Sequence, residues 1–279
     1  MKKLIINVAL TGWVPTRLLS PHVPLSVEEI IADARAGMAC GASMLHLHAR
    51  EDDGSPSYDA GRYASIIRGI RANHPQAIIT VTTSGRRTSD FMKRTAALQL
   101  EGADKPDMAS LTLGSLNFPD EVSVNDPKTI RALAGMMRER GIKPELEVFD
   151  SGMINFAKFL IHKGLIDPPY YFNLMLGNIA TAQADLLQLA AMVRELPPES
   201  IFALGGIGRY QKTVNNLAAV IADGVRTGLE DNLWLNEDGT EPARNTQLIE
   251  RVANVARAAG RGVATAEEAR QRLGLGLIS

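Results

Sequence analysis

The amino-acid sequence predicts a (β/α)8 barrel, the TIM-barrel class. Short apolar segments rich in β-forming residues alternate with amphipathic segments along the chain, and there are eight such pairs. Strands that alternate with helices indicate parallel βαβ units. Eight units in 279 residues favour a closed barrel, which needs roughly 250 residues. We expect one domain over residues 1–279, with a short C-terminal extension from about residue 260.

The first half of the chain supplies four of the predicted pairs. The first helix has a clear start, since Ser26 as N-cap and Glu29 three residues later form a capping box. The strands and helices predicted here are Leu4–Leu10, Ser26–Cys40, Met44–Arg50, Tyr58–Asn73, Ala77–Thr83, Ser89–Leu100, Met108–Leu113 and Pro127–Arg140.

The second half repeats the pattern. Its predicted strands and helices are Glu145–Phe149, Gly152–Lys163, Tyr170–Leu176, Thr181–Leu196, Ser200–Leu204, Gln211–Asp223, Val225–Leu229 and Thr246–Ala259. The last segment, Thr265–Leu273, is predicted to be an extra helix that packs outside the barrel or on a neighbouring subunit.

Composition narrows the classes of partner. The 30 Lys and Arg residues nearly balance the 31 Asp and Glu residues, so the net charge is −1. This balance favours neither nucleic acid nor a membrane surface as a partner. The single cysteine, Cys40, excludes an intramolecular disulfide and is typical of a cytoplasmic protein.

The second predicted strand ends in a His-x-His pair. Active sites of these barrels lie at the C-terminal ends of the strands. Side chains alternate along a strand, so His46 and His48 share one face and can bind one metal ion in the barrel mouth. The competing interpretation is two hydrogen-bonded core histidines, and we favour the metal.

A third ligand is expected from a nearby strand. The eighth strand lies two places from the second in a closed barrel, and Glu230 at its end has the parity of the inward Arg226. Glu230 therefore completes a three-ligand site of the catalytic zinc type. Asp231 beside Arg226 can form a charge-assisted pair that orients a substrate carboxylate or relays a proton, or a purely structural ion pair.

Other polar residues are predicted to line the mouth. Glu145 and Glu147 share a face of the fifth strand. One of them could be a general base, and the other could form a salt bridge with an arginine. The hydrogen-bonding candidates on strands three and four are Thr82, Gly85, Ser110 and Thr112.

A glycine-rich turn follows the seventh strand. Gly206 and Gly208 with Arg209 could hold the phosphates of a phosphorylated substrate or of coenzyme A, because such turns often bind phosphate in these barrels. Glycines used only for a tight turn are an equally good explanation.

The sequence resembles the β-keto acid cleavage enzymes, whose best-known activity is 3-keto-5-aminohexanoate cleavage. The resemblance covers nearly the whole chain, and the His-x-His and Arg-x-Gly-Leu-Glu-Asp-Asn segments together make it specific. The segments that carry it are Asn7–Gly12, Pro24–Glu29, Gly41–Arg50, Met108–Phe118, Glu147–Gly152 and Val225–Asn232.

The resemblance implies that a β-keto acid and acetyl-CoA exchange acyl groups to give acetoacetate and a new acyl-CoA. It implies zinc on His46, His48 and Glu230, which binds the keto acid. It also places Arg226 and Asp231 in the deprotonation step, and a homodimer or homotetramer is expected.

One departure concerns the substrate. The aminohexanoate-cleaving member has a carboxylate that faces the amine at the end of strand one, where this chain has Val14. A neutral or apolar keto acid is therefore expected, or an anionic one if Arg17 reaches the pocket.

Two other classes stay open from the residues alone. One is a zinc-dependent aldolase, lyase or hydrolase that does not use coenzyme A. The other is a barrel that binds ligands without catalysis.

Overall fold

A computed structural model of the protein describes residues 2–278. Its strands in chain order are β1 Ile5–Ala9, β2 Met44–Leu47, β3 Ile78–Val81, β4 Met108–Thr112, β5 Leu116–Asn117, β6 Val122–Ser123, β7 Lys143–Val148, β8 Tyr170–Leu176, β9 Ser200–Gly206 and β10 Gly224–Thr227. Its α-helices are α1 Val27–Ala39, α2 Ala60–Arg71, α3 Phe91–Thr95, α4 Pro127–Glu139, α5 Ser151–His162, α6 Leu186–Glu195, α7 Gln211–Ile221, α8 Asn245–Ala258 and α9 Ala266–Leu273.

Eight of the strands close into a parallel barrel in the order β1-β10-β9-β8-β7-β4-β3-β2, which confirms the predicted fold class. β1 pairs with β2 on one side and with β10 on the other, with Ala9 beside His46 and Asn7 beside Arg226. The residues that face the helices form one large apolar cluster. Among the described residues, no helix is long and apolar enough to cross a bilayer.

Local signals fixed most helix starts but not all of them. α1 begins with the predicted capping box of Ser26 and Glu29. The helix predicted from Thr181 begins only at Leu186, because Asp185 caps its first turn. The helix predicted over 89–100 is a five-residue α3 that continues as a 3₁₀ turn, Ala96–Gln99.

Two features corrected the prediction. Strands β5 and β6 form an antiparallel hairpin over the barrel mouth that the sequence did not indicate. The last helix, α9, does not pack on the outer face of the barrel, since its Ala269 and Leu273 join Ile5, Met44 and Tyr171 at the N-terminal end of the barrel interior. α9 therefore closes the end opposite the C-terminal mouth. Its packing on a neighbouring subunit stays a prediction.

Candidate active site

Three side chains converge at the C-terminal mouth. The Nε2 atoms of His46 and His48 lie 3.2 Å apart. Glu230 places Oε1 3.1 Å from Nε2 of His48 and Oε2 3.8 Å from Nε2 of His46. These three residues therefore form a cluster that could hold a metal ion.

The turn after β10 delivers Glu230 to the histidines. β10 ends at Thr227, so the strand parity from which the position of Glu230 was predicted does not extend to this residue. Gly228 has φ +140, and a Cβ there would lie 2.1 Å from the Ala9 carbonyl oxygen. Gly12 has φ +63, and its Cβ would lie 2.6 Å from Cγ of Glu230. Both positions need glycine, so the loops can meet closely enough to place the carboxylate.

Glu145 fixes the orientation of His46. Its Oε2 lies 2.6 Å from Nδ1 of His46, so the N–H at this nitrogen is directed to the carboxylate and Nε2 faces the site. The other carboxylate oxygen accepts hydrogen bonds from the amides of Asn7 and Asn173. A carboxylate behind a histidine ligand is the usual second layer of a metal site.

His48 is held differently. Trp13 meets its ring edge-on, with centroids 4.9 Å apart. Its Nδ1 is buried and has no hydrogen-bond partner in the described chain. Burial lowers the pKa of His48 to about 4, despite the neighbouring Glu230, so the ring is neutral at physiological pH. A neutral imidazole is the form that binds a metal.

Arg226 links three carboxylates. It donates from Nε to Asp231 at 2.9 Å and from Nη1 to Glu147 at 2.8 Å, and its Nη2 lies 3.0 Å from Glu230. Burial works against its charge, but the three carboxylates outweigh burial and raise the pKa of Arg226 above its ordinary range. Thr112 donates to the other oxygen of Glu147 at 2.7 Å.

Glu230 and Asp231, the two acids at the end of the turn, differ in the pKa of their carboxyl groups. Burial raises the pKa of Asp231 to about 6, with Glu230 adding to the rise and Arg226 opposing it. Burial would also raise the pKa of Glu230, but His48 and Arg226 hold it well below its ordinary range. Asp231 thus has the more basic carboxylate of the pair, which suits a proton acceptor.

These groups share one cavity of about 230 Å³. Surveyed pockets for drug-sized ligands start at about 300 Å³, so this cavity suits a small acid. Its lining residues are Trp13, Val14, His46, His48, Thr82, Ser84, Arg86, Thr112, Leu116, Phe118, Pro119, Ser123, Glu147, Phe149, Met175, Ile207, Gly208, Arg226, Glu230 and Asp231.

The strand-three and strand-four candidates separate into two groups. Thr82 and Thr112 line the cavity. Ser110 does not, because its hydroxyl accepts from the backbone N–H of Thr83 at 3.1 Å. Gly85 also lies outside the lining, because the chain at Val124 packs against it and a Cβ would come within 2.2 Å of that carbonyl oxygen.

Three further candidates lie away from the cavity lining. The guanidinium of Arg17 pairs with Glu29 and donates to the Pro21 carbonyl at 3.1 Å, so it does not serve the pocket. Gly206 packs against the backbone of residues 210–211, which matches the tight-turn explanation. Arg209 is exposed and contacts its neighbour Tyr210. Gly208, by contrast, lines the cavity.

Two arginines at the mouth were missed by the sequence analysis. Arg86 follows β3 in a loop and lines the cavity. Arg50 is buried and donates to the carbonyls of Gly12 and Pro15, each at 2.8 Å, so it ties down the loop that carries Trp13. Arg86 has no sequence signal, because a loop residue has no periodicity from which to infer its direction. Arg50 has the parity of His46 and His48 in the predicted strand Met44–Arg50, and this signal was not used.

The donor set fits a metal ion. Two imidazole nitrogens and one carboxylate are the three-ligand set of many catalytic zinc sites. Ligand atoms about 2.0–2.1 Å from a tetrahedral ion lie about 3.3 Å apart. The two imidazole nitrogens are 3.2 Å apart, and the Glu230 oxygens lie 3.1 Å from His48 and 3.8 Å from His46. Oε2 of Glu230 is buried without a hydrogen-bond partner among residues 2–278, which leaves it free to bind a cation.

A family model described as beta-keto acid cleavage enzyme matches residues 3–275. The chain belongs to the β-keto acid cleavage enzyme family. This membership confirms the resemblance that the His-x-His and Arg-x-Gly-Leu-Glu-Asp-Asn segments indicated.

Individual relatives agree with this assignment. The chain is 40% identical to a 3-keto-5-aminohexanoate cleavage enzyme from Fusobacterium nucleatum subsp. nucleatum, over 99% of each chain. It is 38% identical to a 3-oxoadipate:acetyl-CoA acetyltransferase from Cupriavidus necator, over 97% of this chain and 94% of the relative. The superposition on the apo structure of ObcA covers 92% of this chain and 66% of ObcA, with a TM-score of 0.82 and 22% identity. This likeness shows the fold alone.

Proposed function

We propose that this protein is a zinc-dependent acyltransferase that converts a β-keto acid and acetyl-CoA into acetoacetate and a new acyl-CoA. The observation that carries the proposal is the position of the Arg226–Asp231 pair, which lies directly beside the metal-binding cluster in one small cavity. The family assignment and the acetyl-CoA-dependent relative from Cupriavidus necator support it.

The reaction exchanges acyl groups. The bond from the keto carbon of the substrate to its CH2–COO− carbon breaks, and that carbon forms a new bond to the acetyl carbonyl carbon. The CoA sulfur leaves the acetyl group and ends on the acyl group of the original acid. The atoms balance without any oxidant or reductant.

In this proposal His46, His48 and Glu230 hold zinc, which when bound would polarise the keto acid's oxygens as a Lewis acid. Glu145 holds His46 with Nε2 facing the site. Asp231 accepts the proton from the carbon between the two carbonyl groups, because burial gives it a base strength suited to neutral pH. It returns the proton to that carbon when the bond to the original acyl group breaks. Arg226 keeps that carboxylate in place through two N–H donors.

The remaining wall residues position the substrate. The hydroxyl of Thr82 lies in the cavity wall, where it can donate to a substrate oxygen. The hydroxyl of Thr112 already donates to Glu147, so it can only accept a hydrogen bond from the substrate. Gly208 stays a predicted contact for coenzyme A at the edge of the cavity. A homodimer or homotetramer in the cytoplasm is also part of the proposal.

The test is acetoacetate formation from a panel of β-keto acids, with and without acetyl-CoA. We expect acetoacetate only when acetyl-CoA is present, and loss of activity after chelation that zinc restores. Cleavage without any thioester would favour the aldolase or lyase alternative. Iron or manganese as the metal that restores activity would contradict zinc dependence.

A further inference from the structure

A charged side chain in the outer wall of the cavity takes no part in the proposed chemistry. Arg86 lies in the loop after β3 and is 23% exposed. Its guanidinium carbon lies 3.9 Å from the centre of the Phe118 ring on the β5–β6 hairpin. Burial lowers the pKa of Arg86, and the carboxylates of Glu121 and Glu230 oppose this shift without cancelling it. The positive charge of Arg86 is therefore only partly compensated by these two carboxylates.

The end of this guanidinium is free. Arg86 approaches the carboxylate of Glu121 through Nε. No residue in the described part of the chain accepts a hydrogen bond from its two terminal nitrogens, and neither of these is a buried orphan. Two parallel N–H donors on an arginine match the two oxygens of a carboxylate. The ring of Phe118 holds the fork in position before any ligand arrives.

The local charge also favours an anion. Glu121 serves Arg86 and Arg87 together, since its other oxygen lies 3.1 Å from Nε of Arg87. With each side chain fully charged, Arg86, Arg87 and Glu121 together carry a net charge of about +1. The lining of the same cavity also includes the apolar Val14 and Leu116. An ammonium group at this end would meet a cation and no free carboxylate.

We propose that Arg86 is a specificity-determining residue that selects β-keto acids with a second carboxylate at the end remote from the keto acid group. The inference rests on the proposed function, because it places the reacting end of the acid at the metal cluster and the far end at Arg86. In this proposal Arg86, and not Arg17, is the cation that binds an anionic tail, because the guanidinium of Arg17 pairs with Glu29.

The experiment compares two acids of equal chain length, 3-oxoadipate and 3-oxohexanoate, each with acetyl-CoA. The wild-type protein is expected to have a kcat/KM for the dicarboxylic acid at least roughly tenfold higher, the ratio that one charge-assisted pair supports. In Arg86→Gln that ratio falls to about one, through the KM for 3-oxoadipate, while turnover of 3-oxohexanoate is retained and shows that the variant is folded.

Arg87→Gln is the matched control, because it removes the same charge from the same carboxylate but lies outside the cavity lining. We expect it to keep the wild-type preference. The proposal is overturned if the wild type does not prefer the dicarboxylic acid, or if Arg86→Gln slows both acids equally. A raised KM for acetyl-CoA with both acids would mean that Arg86 binds the coenzyme, and also overturns it. Absence of acetoacetate from both acids and from every other β-keto acid of the panel would instead refute the proposed function.

Discussion

The two inward glutamates of β7, Glu145 and Glu147, have different partners and therefore different roles in the site. Glu145 contacts His46 from behind, at Nδ1, whereas Glu147 contacts Arg226 and Thr112 in the cavity. Strand alternation put both carboxylates on one face but could not tell which lay deeper. Depth depends on the register between β4 and β7, which pairs Ser110 with Glu145 and Thr112 with Glu147.

Glu145→Gln is expected to weaken zinc binding by about 10- to 100-fold, because partners of this kind set the orientation and basicity of a histidine ligand. The measurement is zinc affinity by competition with a chelator. Glu147→Gln is the matched control, and it should keep the metal while lowering kcat. Equal zinc affinity in the two variants would contradict the division of roles.

Asp231→Asn is expected to lower kcat by about 10²- to 10⁴-fold, the contribution typical of a general base. Asparagine keeps the shape and one acceptor for Arg226 but cannot take the proton. Zinc content and the melting temperature should stay close to the wild-type values. A variant with wild-type kcat would remove Asp231 from the proton transfer, and a variant without zinc would show that its role is structural.

The residues that sequence reasoning identified are those on strands or directly after them. His46, Glu145 and Arg226 lie on β2, β7 and β10, where a period of two fixes the direction of each side chain. Arg86 lies in a loop and Arg50 in an isolated bridge beyond β2, so their direction depends on long-range contacts. The β5–β6 hairpin was missed because two-residue strands give no detectable pattern.

At the scale of elements, the site depends on two loops that meet over the barrel. The turn after β10 crosses the end of β1, and Glu230 donates its backbone N–H to the Ala9 carbonyl at 3.2 Å. Arg50 holds the loop after β1 from the other side through the carbonyls of Gly12 and Pro15. The position of Glu230, one of the three proposed metal ligands, therefore depends on the packing of backbone against backbone.

Gly228→Ala should disrupt this packing, since its Cβ would overlap the Ala9 carbonyl at a φ that alanine strongly disfavours. We expect loss of zinc together with a lower melting temperature. Gly260→Ala is the control, because Gly260 has φ +70 but nothing within 4 Å of a new Cβ. It should cost only the strain of the backbone, about 1–2 kcal/mol, with zinc retained. Zinc loss in both variants would mean that general instability, and not the crossing, empties the site.

At the scale of the whole molecule, the barrel separates stability from chemistry. The mouth contains the candidate active-site groups, whereas the opposite end is closed by α9 and buried apolar side chains. Arg270 on this helix is buried and pairs with Asp107 at 2.8 Å. The sequence indicated the helix but not its place, because its amphipathic pattern shows a buried face without naming what covers it.

Leu273→Ala should lower the free energy of unfolding by about 2–5 kcal/mol, because this leucine is fully buried in the closed end. Urea denaturation measures the change, and kcat in native buffer should be unaffected. Leu277→Ala, at a side chain that is 68% exposed, should change stability by no more than about 0.5 kcal/mol. Equal effects of the two substitutions would show that α9 does not seal the barrel.

The central claim is an exchange of acyl groups at the His46–His48–Glu230 cluster, and carbon labelling tests it most directly. The zinc-loaded protein is given an unlabelled β-keto acid and acetyl-CoA with carbon-13 at both acetyl carbons, and the acetoacetate is analysed by NMR. We expect label in the methyl and keto carbons of acetoacetate and none in its CH2 and carboxylate carbons. Unlabelled acetoacetate, or label in the CH2 and carboxylate carbons, would contradict this exchange.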